Sequence, residues 1–153
     1  MKALFLDADG TLWYVGDEEG DGYQRPFQDL KVDPQLPVLF SEMQRRSIPI
    51  WIVSYNEPGR VETLVEHLDL SRWISREKIS CNWRDKSERI VEIMQRNGIC
   101  KALFIGDRGS DYRASLAAGI DGRIVKRRFN KAQWTQGPMV PSLIEPIQLL
   151  EAI

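Results

Sequence analysis

Length, composition and charge narrow the classes of protein to which this chain can belong. Its 153 residues, 42% of them hydrophobic, suit one compact domain with a substantial core. Lys and Arg total 21 against 22 for Asp and Glu, so the formal net charge of -1 gives no general attraction to nucleic acid or to an anionic membrane. No apolar run approaches the roughly 20 residues that cross a bilayer. We therefore expect a cytoplasmic protein with neither a nucleic-acid nor a membrane partner.

Strand and helix patterns alternate as far as Val125. Short, almost continuously apolar segments predict four strands that are covered on both faces, namely Ala3–Leu6, Ile48–Val53, Ala102–Ile105 and Arg123–Val125. Between them, apolar residues at helical spacing predict amphipathic helices, as in Leu36–Met43 and Val61–Leu68. This alternation favours an α/β fold with a doubly wound, mostly parallel, Rossmann-like sheet. Ligands of such sheets bind at the carboxyl ends of the strands.

Several residues are predicted to begin or end these helices. Asp33-Pro34 indicates the start of the first helix, and Asn56 is predicted to cap the second. Asp85 and Glu88 have the spacing of a capping box for a third helix, which Gly98 can end.

Two regions follow neither a strand nor a helix period. Residues 10–32 contain four glycines and an acidic run, which predicts a flexible flap or a short hairpin. Residues 127–153 form a C-terminal extension that ends in an amphipathic helix within Leu143–Ile153. The basic tract at residues 126–128 either binds a second anionic group of a ligand or is a solvated run of charges, and the solvated run is the simpler interpretation. We expect all of residues 1–153 to form a single domain.

Polar residues gather where the predicted strands end. In chain order they are Asp7, Asp9, Ser54, Lys86, Asp107 and Asp111. Each is weak evidence alone, because Asp-x-Asp-Gly is common in turns and a strand-end serine often caps a helix. Together they would place several carboxylates at one edge of the sheet. Two like charges about 4 Å apart repel by roughly 4 kcal/mol at an effective dielectric near 20, so we expect a divalent cation and Lys86 to neutralise them. Oxygen ligands favour Mg²⁺.

These motifs resemble those of the haloacid dehalogenase superfamily over Met1 to about Val125. The matching segments are DADGTLW at residues 7–13, Ser54, Lys86 and GDRGSD at residues 106–111. Within the superfamily, DxDGTLW, SYNEP and CNWRDKSERI are similar to the magnesium-dependent phosphatase branch, subfamily IIIC, and to related glyceryl-transfer proteins. That branch often has adjacent aspartates in its fourth motif, whereas three residues separate Asp107 and Asp111 here. The departure leaves the substrate open.

The resemblance implies Mg²⁺-dependent hydrolysis of a phosphomonoester through an aspartyl-phosphate. Asp7 would be the nucleophile and Asp9 the general acid and base, while Ser54 and Lys86 would hold phosphoryl oxygens. The implied metal ligands are Asp7, Asp9 through its backbone carbonyl, Asp107 and Asp111. The predicted substrate-binding residues are Gly10, Thr11, Ser54, Asn56, Lys86 and Arg108. Trp83 is either a wall of the substrate site or a packing residue.

Many members of the superfamily carry an inserted cap domain, but this sequence has little room for one on either side of Ser54. We expect a capless, open site for a phosphorylated small molecule or for an exposed phosphate on a larger molecule. A homo-oligomer is also compatible with the sequence. Two alternatives stay open: phosphoryl or glyceryl transfer to a carrier protein, and a non-enzymatic phosphoaspartate switch module.

Overall fold

Eight strands and five helices make up the computed structural model, which describes residues 1–153. The strands are β1 (Lys2–Leu6), β2 (Trp13–Val15), β3 (Leu30–Val32), β4 (Ile50–Tyr55), β5 (Ile79–Asn82), β6 (Lys101–Gly106), β7 (Asp121–Val125) and β8 (Met139–Val140). The helices are α1 (Leu36–Arg45), α2 (Arg60–His67), α3 (Lys86–Asn97), α4 (Gly109–Ala118) and α5 (Glu145–Ala152). None of these helices has the length and apolar character needed to cross a membrane.

Six strands form one parallel sheet in the order β5-β4-β1-β6-β7-β8, while β2 and β3 pair as a separate antiparallel hairpin. Helices cover both faces of the sheet, and no cap domain is inserted. The α/β, doubly wound architecture predicted from the alternation is confirmed. Since β1 lies between β4 and β6, the chain that follows β1 leaves the middle of the sheet.

The side chains of β1 show how the two faces are filled. Leu4 and Leu6 belong to the larger core cluster, beneath α1, α2 and α5. Ala3 and Phe5 belong to the smaller cluster on the other face, with residues of α3 and α4. Strand residues alternate between faces, so a strand that is buried on both sides must be apolar at every position. This requirement explains why β1 was recognisable in the sequence.

The four predicted strands are present, with ends that shift by one or two residues. The strand predicted from Ile48 begins at Ile50, after Pro49. Sequence analysis missed β5 and β8, which form the two edges of the sheet. The Ile-Ser-Cys-Asn sequence of β5 is not a continuous apolar run, and β8 has only two residues. Edge strands are covered less completely, so the apolar signal that identified the central strands is weaker there.

Two of the predicted helix starts are wrong. Helix α1 begins at Leu36, and Asp33 instead accepts a hydrogen bond from the amide of Gln35, 2.8 Å away, in the turn before it. Helix α2 begins after Gly59, so Asn56 lies too early to cap it. The third prediction is confirmed for both helix ends: Asp85 caps α3 by accepting a bond from the amide of Glu88, and Gly98 ends it in a left-handed conformation. The Glu88 side chain does not make the reciprocal bond of a capping box.

The predicted flap, residues 10–32, contains the β2–β3 hairpin, and it contacts the rest of the domain at several points. The ring of Phe27 meets that of His67 on α2 with centroids 4.5 Å apart. Glu18 accepts a hydrogen bond from the amide of Arg128, 3.0 Å away. In the C-terminal extension, α5 begins at Glu145, two residues after the predicted Leu143, and packs on the larger core cluster.

Candidate active site

Three carboxylates meet at the carboxyl ends of the central strands. Asp7 follows β1 directly, while Asp107 and Asp111 follow β6. Each can offer one oxygen within 4.8 Å of the others, and all three residues are buried. The sheet order brings Asp7 and Asp107 together, because β1 and β6 are neighbours in register from Lys2 to Leu6, and Asp111 lies in the first turn of α4. The sequence-based expectation of an acid cluster at one edge is therefore confirmed for these three side chains.

Lys86 provides the positive charge inside the cluster. It is the first residue of α3, and its ammonium nitrogen donates to Asp7 Oδ1 at 2.8 Å and to Asp111 Oδ1 at 2.7 Å. Burial opposes its charge, but the carboxylates of Asp111 and Asp7 outweigh burial and raise the pKa of Lys86 above its ordinary value. The lysine is thus held fully protonated between two acids.

Asp107 has the weakest ionic contact of the three acids. Its Oδ2 is buried and has no hydrogen-bond partner, and the nearest cationic nitrogen, Arg108 Nε, is 3.9 Å away. Burial, followed by the charges of Asp7 and Asp111, raises the pKa of Asp107 well above its usual range. Burial likewise raises the pKa of Asp111, although Lys86 opposes the change. Three buried carboxylates around one lysine leave an excess of oxygen donors, which fits a hard divalent cation such as Mg²⁺.

Asp9 lies beside this cluster but its carboxylate is engaged elsewhere. Its Oδ1 accepts a hydrogen bond from Trp13 Nε1 at 2.9 Å, and its Oδ2 accepts one from Asn56 Nδ2 at 2.9 Å. Burial raises the pKa of Asp9, and these two hydrogen bonds oppose the increase. Asn56, which was predicted to cap a helix, therefore orients the carboxylate of Asp9 instead. The carboxylate of Asp9 is outside the three-acid cluster.

No protein-family model and no curated protein matches the sequence. Solved structures do match. A haloacid dehalogenase-like hydrolase from Streptococcus pneumoniae superposes with a TM-score of 0.75 at 14% identity, over 96% of this chain and 97% of that one. D,D-heptose 1,7-bisphosphate phosphatase from B. bronchiseptica, complexed with magnesium and phosphate, gives 0.70 at 15% identity over the whole of both chains.

A third match is the 3-deoxy-D-manno-octulosonate 8-phosphate phosphatase of Moraxella catarrhalis, with a TM-score of 0.64 at 17% identity over 99% of this chain and 86% of that one. This chain has the haloacid dehalogenase fold. The match extends over the C-terminal extension as well as the segment to Val125 in which the motifs were recognised. Branch IIIC is not specifically supported by these structures.

In this haloacid dehalogenase fold, Gly10 allows the loop after β1 to approach Asp107. Its φ of +82° lies in the left-handed region, and an added β-carbon would overlap Asp107 Oδ2. Thr11 is fully buried and does not line the cavity that contains the acids. The geometry gives no support to a direct substrate contact by its side chain. Ser54 is at the end of β4, is nearly fully buried and does line that cavity.

The cavity has a volume of about 320 Å³ and combines buried charged groups with an exposed rim. Its buried members are Asp7, Asp9, Ser54, Lys86, Asp107 and Asp111, and the others are Asp21, Tyr23, Tyr55, Trp83, Arg108 and Ser110. Tyr23, Tyr55 and Trp83 are 39%, 40% and 56% exposed, and they are three of the four exposed aromatic residues in the chain. Such a concentration favours Trp83 as a wall of the site.

Arg108, which sequence analysis proposed as a substrate contact, is at this rim. Its Nη2 donates to Asp21 Oδ2 at 3.1 Å, and its guanidinium carbon is 4.5 Å from the centre of the Trp134 ring. Asp21 and Tyr23 belong to the flap, and nothing in their local sequence distinguished them from turn residues. Only the folding of the flap over the end of the sheet brings them to the acids.

The interpretation of residues 126–128 as a solvated basic tract is wrong for its middle residue. Lys126 and Arg128 are exposed, but Arg127 is buried and forms an ion pair with Asp33 at 2.8 Å. None of the three residues lines the cavity. Alternation along the chain after β7 turns one guanidinium inward while its neighbours face solvent, and a pattern of three consecutive cations does not reveal this.

Proposed function

We propose that this protein hydrolyses phosphomonoesters in a Mg²⁺-dependent reaction through an aspartyl-phosphate on Asp7. The observation that carries the proposal is the arrangement of Lys86 between Asp7 and Asp111, next to Asp107, whose buried Oδ2 has no hydrogen-bond partner. It provides a carboxylate nucleophile, a fixed cation for a phosphoryl oxygen, and a set of oxygens suited to Mg²⁺. Support comes from the fold of the heptose bisphosphate phosphatase, whose structure contains magnesium and phosphate.

The chemical steps follow from the positions of the two aspartates. An oxygen of Asp7 attacks phosphorus as the ester P–O bond breaks, and a proton from Asp9 goes to the leaving alkoxide. Asp9 then takes a proton from water, which attacks the phosphoryl group and releases Asp7 and inorganic phosphate. Lys86 and the Ser54 hydroxyl hold phosphoryl oxygens in both steps. We propose that Asp7, the backbone carbonyl of Asp9, Asp107 and Asp111 hold Mg²⁺, which when bound neutralises negative charge on the phosphoryl group.

Asp9 must carry a proton in the first step and lose it in the second. Burial favours the protonated carboxyl, whereas the donors Trp13 Nε1 and Asn56 Nδ2 favour the carboxylate. These opposed influences suit a group that changes protonation state within each turnover. The presence of this second acid also argues against the phosphoaspartate switch, in which the phosphorylated state must persist.

The rim of the cavity indicates the kind of ester that is bound. The site is open, so a phosphorylated small molecule and a phosphate on a larger molecule both reach Asp7. The exposed aromatic side chains of Tyr23, Tyr55 and Trp83 line the cavity beside it. Aromatic side chains bind flat, weakly hydrated surfaces. We infer that the alcohol part of the substrate contains a ring that packs against these residues, as the sugar phosphates named for two structural relatives would permit.

The test is a panel of phosphate esters assayed with Mg²⁺ and with chelator, using wild-type protein and Asp7→Asn. We expect phosphate release that requires Mg²⁺ and that the variant lacks, because an amide is a poor nucleophile. Circular dichroism of the variant provides the control for folding. Equal hydrolysis in chelator, or turnover by Asp7→Asn near the wild-type rate, would contradict the proposal. Transfer of phosphate to an added carrier protein in place of water would favour the alternative activity.

A further inference from the structure

The segment between β7 and β8 contacts both loops that carry the site aspartates. We call residues 127–137 the clasp. Its first residue, Arg127, reaches the loop after β1, and Asn130 reaches the loop after β6. Further along, the ring of Trp134 lies against the guanidinium of Arg108, 4.5 Å away. One continuous segment is therefore bonded to the two parts of the chain that must cooperate in catalysis.

Arg127 makes the most extensive of these contacts. Its Nε donates to the carbonyl oxygen of Gly10, and its Nη2 donates to that of Thr11, both at 2.8 Å. The same Nη2 is 2.8 Å from Asp33 Oδ2, and the guanidinium carbon is 4.7 Å from the centre of the Tyr14 ring. A guanidinium is planar and its N–H groups have fixed directions. Bonding to two successive carbonyls therefore fixes the orientation of two successive peptide units, Gly10–Thr11 and Thr11–Leu12.

Gly10 directly follows Asp9, so holding these two peptide units restricts the position of the Asp9 backbone and of the side chain that it carries. The amides of Thr11 and Leu12 bond to the carbonyl of Ala8 at 3.0 and 2.9 Å, which makes the loop a tight turn. Arg127 attaches this turn to the body of the domain. Asp33 supplies the compensating charge that a buried guanidinium requires.

Asn130 performs the corresponding task on the other loop. Its Nδ2 donates to the backbone carbonyl of Asp107 at 2.5 Å, next to the carboxylate whose Oδ2 has no hydrogen-bond partner. Its Oδ1 is buried without a hydrogen-bond partner. The amide thus holds the Asp107 backbone directly.

We propose that Arg127 and Asn130 are positioning residues that set the Asp9 loop and the Asp107 loop at their working separation. Neither residue lines the cavity, so each acts through the loop to which it is bonded. The consequence for rate rests on the proposed function, since misplacing catalytic groups by about 1 Å costs on the order of 10²-fold in rate. Substrate binding depends on other residues, so kcat should fall while KM changes little.

The decisive variant is Arg127→Met, which keeps much of the side-chain volume and removes the guanidinium. We expect kcat to fall by about 10²-fold, with a much smaller change in KM and with partial recovery in millimolar guanidinium. The matched control is Arg46→Met, because Arg46 pairs with Glu42 at 2.7 Å and with Glu151, away from the site. This control should lose some stability, keep wild-type kcat and show no guanidinium response. Wild-type kcat in folded Arg127→Met would overturn the proposal.

A second readout does not depend on turnover. Hydrogen exchange of the amides at residues 10–12 should be faster in Arg127→Met than in wild type, and unchanged in Arg46→Met. Unchanged exchange at residues 10–12 overturns the positioning role. A wild-type protein that hydrolyses no ester contradicts the proposed function alone, because the exchange experiment still reports on the clasp.

If Arg127→Met does not fold, Asn130→Ala decides the question. Loss of an outer hydrogen bond to a metal ligand typically lowers metal affinity by about 10- to 100-fold. We therefore expect weaker Mg²⁺ binding by calorimetry in folded Asn130→Ala. Wild-type affinity in that variant would overturn the proposal.

Discussion

The two ends of the parallel sheet contain cavities of opposite character. At the amino ends, residues such as Met43, Ile48, Pro49, Trp51 and Ile99 line a cavity of about 440 Å³, half of whose lining residues are hydrophobic. At the carboxyl ends, the cavity of about 320 Å³ is smaller and is lined mainly by polar and charged residues. Volume alone would select the amino end as the binding site.

Buried charge selects the carboxyl end instead. Burying several carboxylates together lowers the stability of the fold. Clusters of this kind are typical of sites where the groups perform chemistry. The amino end contains no comparable cluster. Its unsatisfied buried group is Trp51 Nε1, a neutral hydrogen-bond donor without a partner. A functional site is therefore better located by buried charge, which lowers the stability of the fold, than by the volume of a cavity. Four substitutions test this contrast.

The largest effect is expected for Asp107→Asn. The amide removes one charge from the cluster, so the melting temperature without metal should rise by several degrees, at about 2–4 °C per kcal/mol for a domain of this size. Mg²⁺ should no longer raise the melting temperature, and hydrolysis should be lost. Calorimetry of wild type and variant, each with and without Mg²⁺, measures all of these changes. A metal-free variant that melts below wild type would contradict the assigned cost of the cluster.

Asp9→Asn should have the next largest effect. General acid and base assistance is typically worth about 10²- to 10⁴-fold, and kcat should fall within that range because the amide carries no transferable proton. The amide also presents an N–H to one of the donors Trp13 and Asn56, which removes a hydrogen bond. Rapid-quench measurement of the phosphoenzyme should show slower formation and slower decay. Wild-type rates in both steps would remove Asp9 from the mechanism.

The acid cluster could be predicted because the sequence features that indicate it lie next to the acids themselves. Asp7 and Asp107 each follow a strand that the sequence reveals as an unbroken apolar run, and neighbouring parallel strands bring their carboxyl ends together. Lys86 was located by the capping residue that precedes it. These inferences required only that the strands be adjacent, and the strand order β4-β1-β6 satisfied this condition.

The residues that support the site could not be predicted, because they are defined by contacts with residues far away in the sequence. Asn56 has the local appearance of a helix cap, and only its contact with a residue 47 positions earlier reveals its part in the site. Arg127 occupies a run of three cations and bonds to carbonyls 116 and 117 positions away. Periodicity and capping rules report neighbours along the chain. They do not indicate which of several similar polar side chains will turn inward.

Trp83→Ala tests the rim at the carboxyl end and should have a moderate effect. Contacts between rings are worth about 0.5–1.5 kcal/mol beyond the area they bury, so discrimination in kcat/KM between a ring-containing ester and glycerol phosphate should fall by about 2- to 10-fold. Phe27→Ala is the matched control, since Phe27 is another exposed aromatic residue but does not line the cavity. Unchanged discrimination in Trp83→Ala would contradict the inference of a ring in the substrate.

The smallest effect is expected at the amino end, for Trp51→Phe. The substitution removes the indole N–H that is buried without a partner and keeps an aromatic ring in place. Unsatisfied donors cost about 1–3 kcal/mol when buried, so stability should be unchanged or slightly higher by chemical denaturation. The kinetic constants should equal those of wild type. A fall in kcat would show that the two ends of the sheet are coupled.

The long reach of Arg127 has a consequence for the biosynthesis of the protein. Gly10 and Arg127 are 117 residues apart, so at about 5–20 residues per second the ribosome adds the arginine roughly 6–23 seconds after the glycine. By then every proposed catalytic and metal-binding aspartate has been made. If the clasp acts as proposed, a nascent chain contains all the acids of the site before it has the guanidinium that orders them. Competence to hydrolyse phosphate esters would then arise only after the central strands and all the acids of the site have been synthesised.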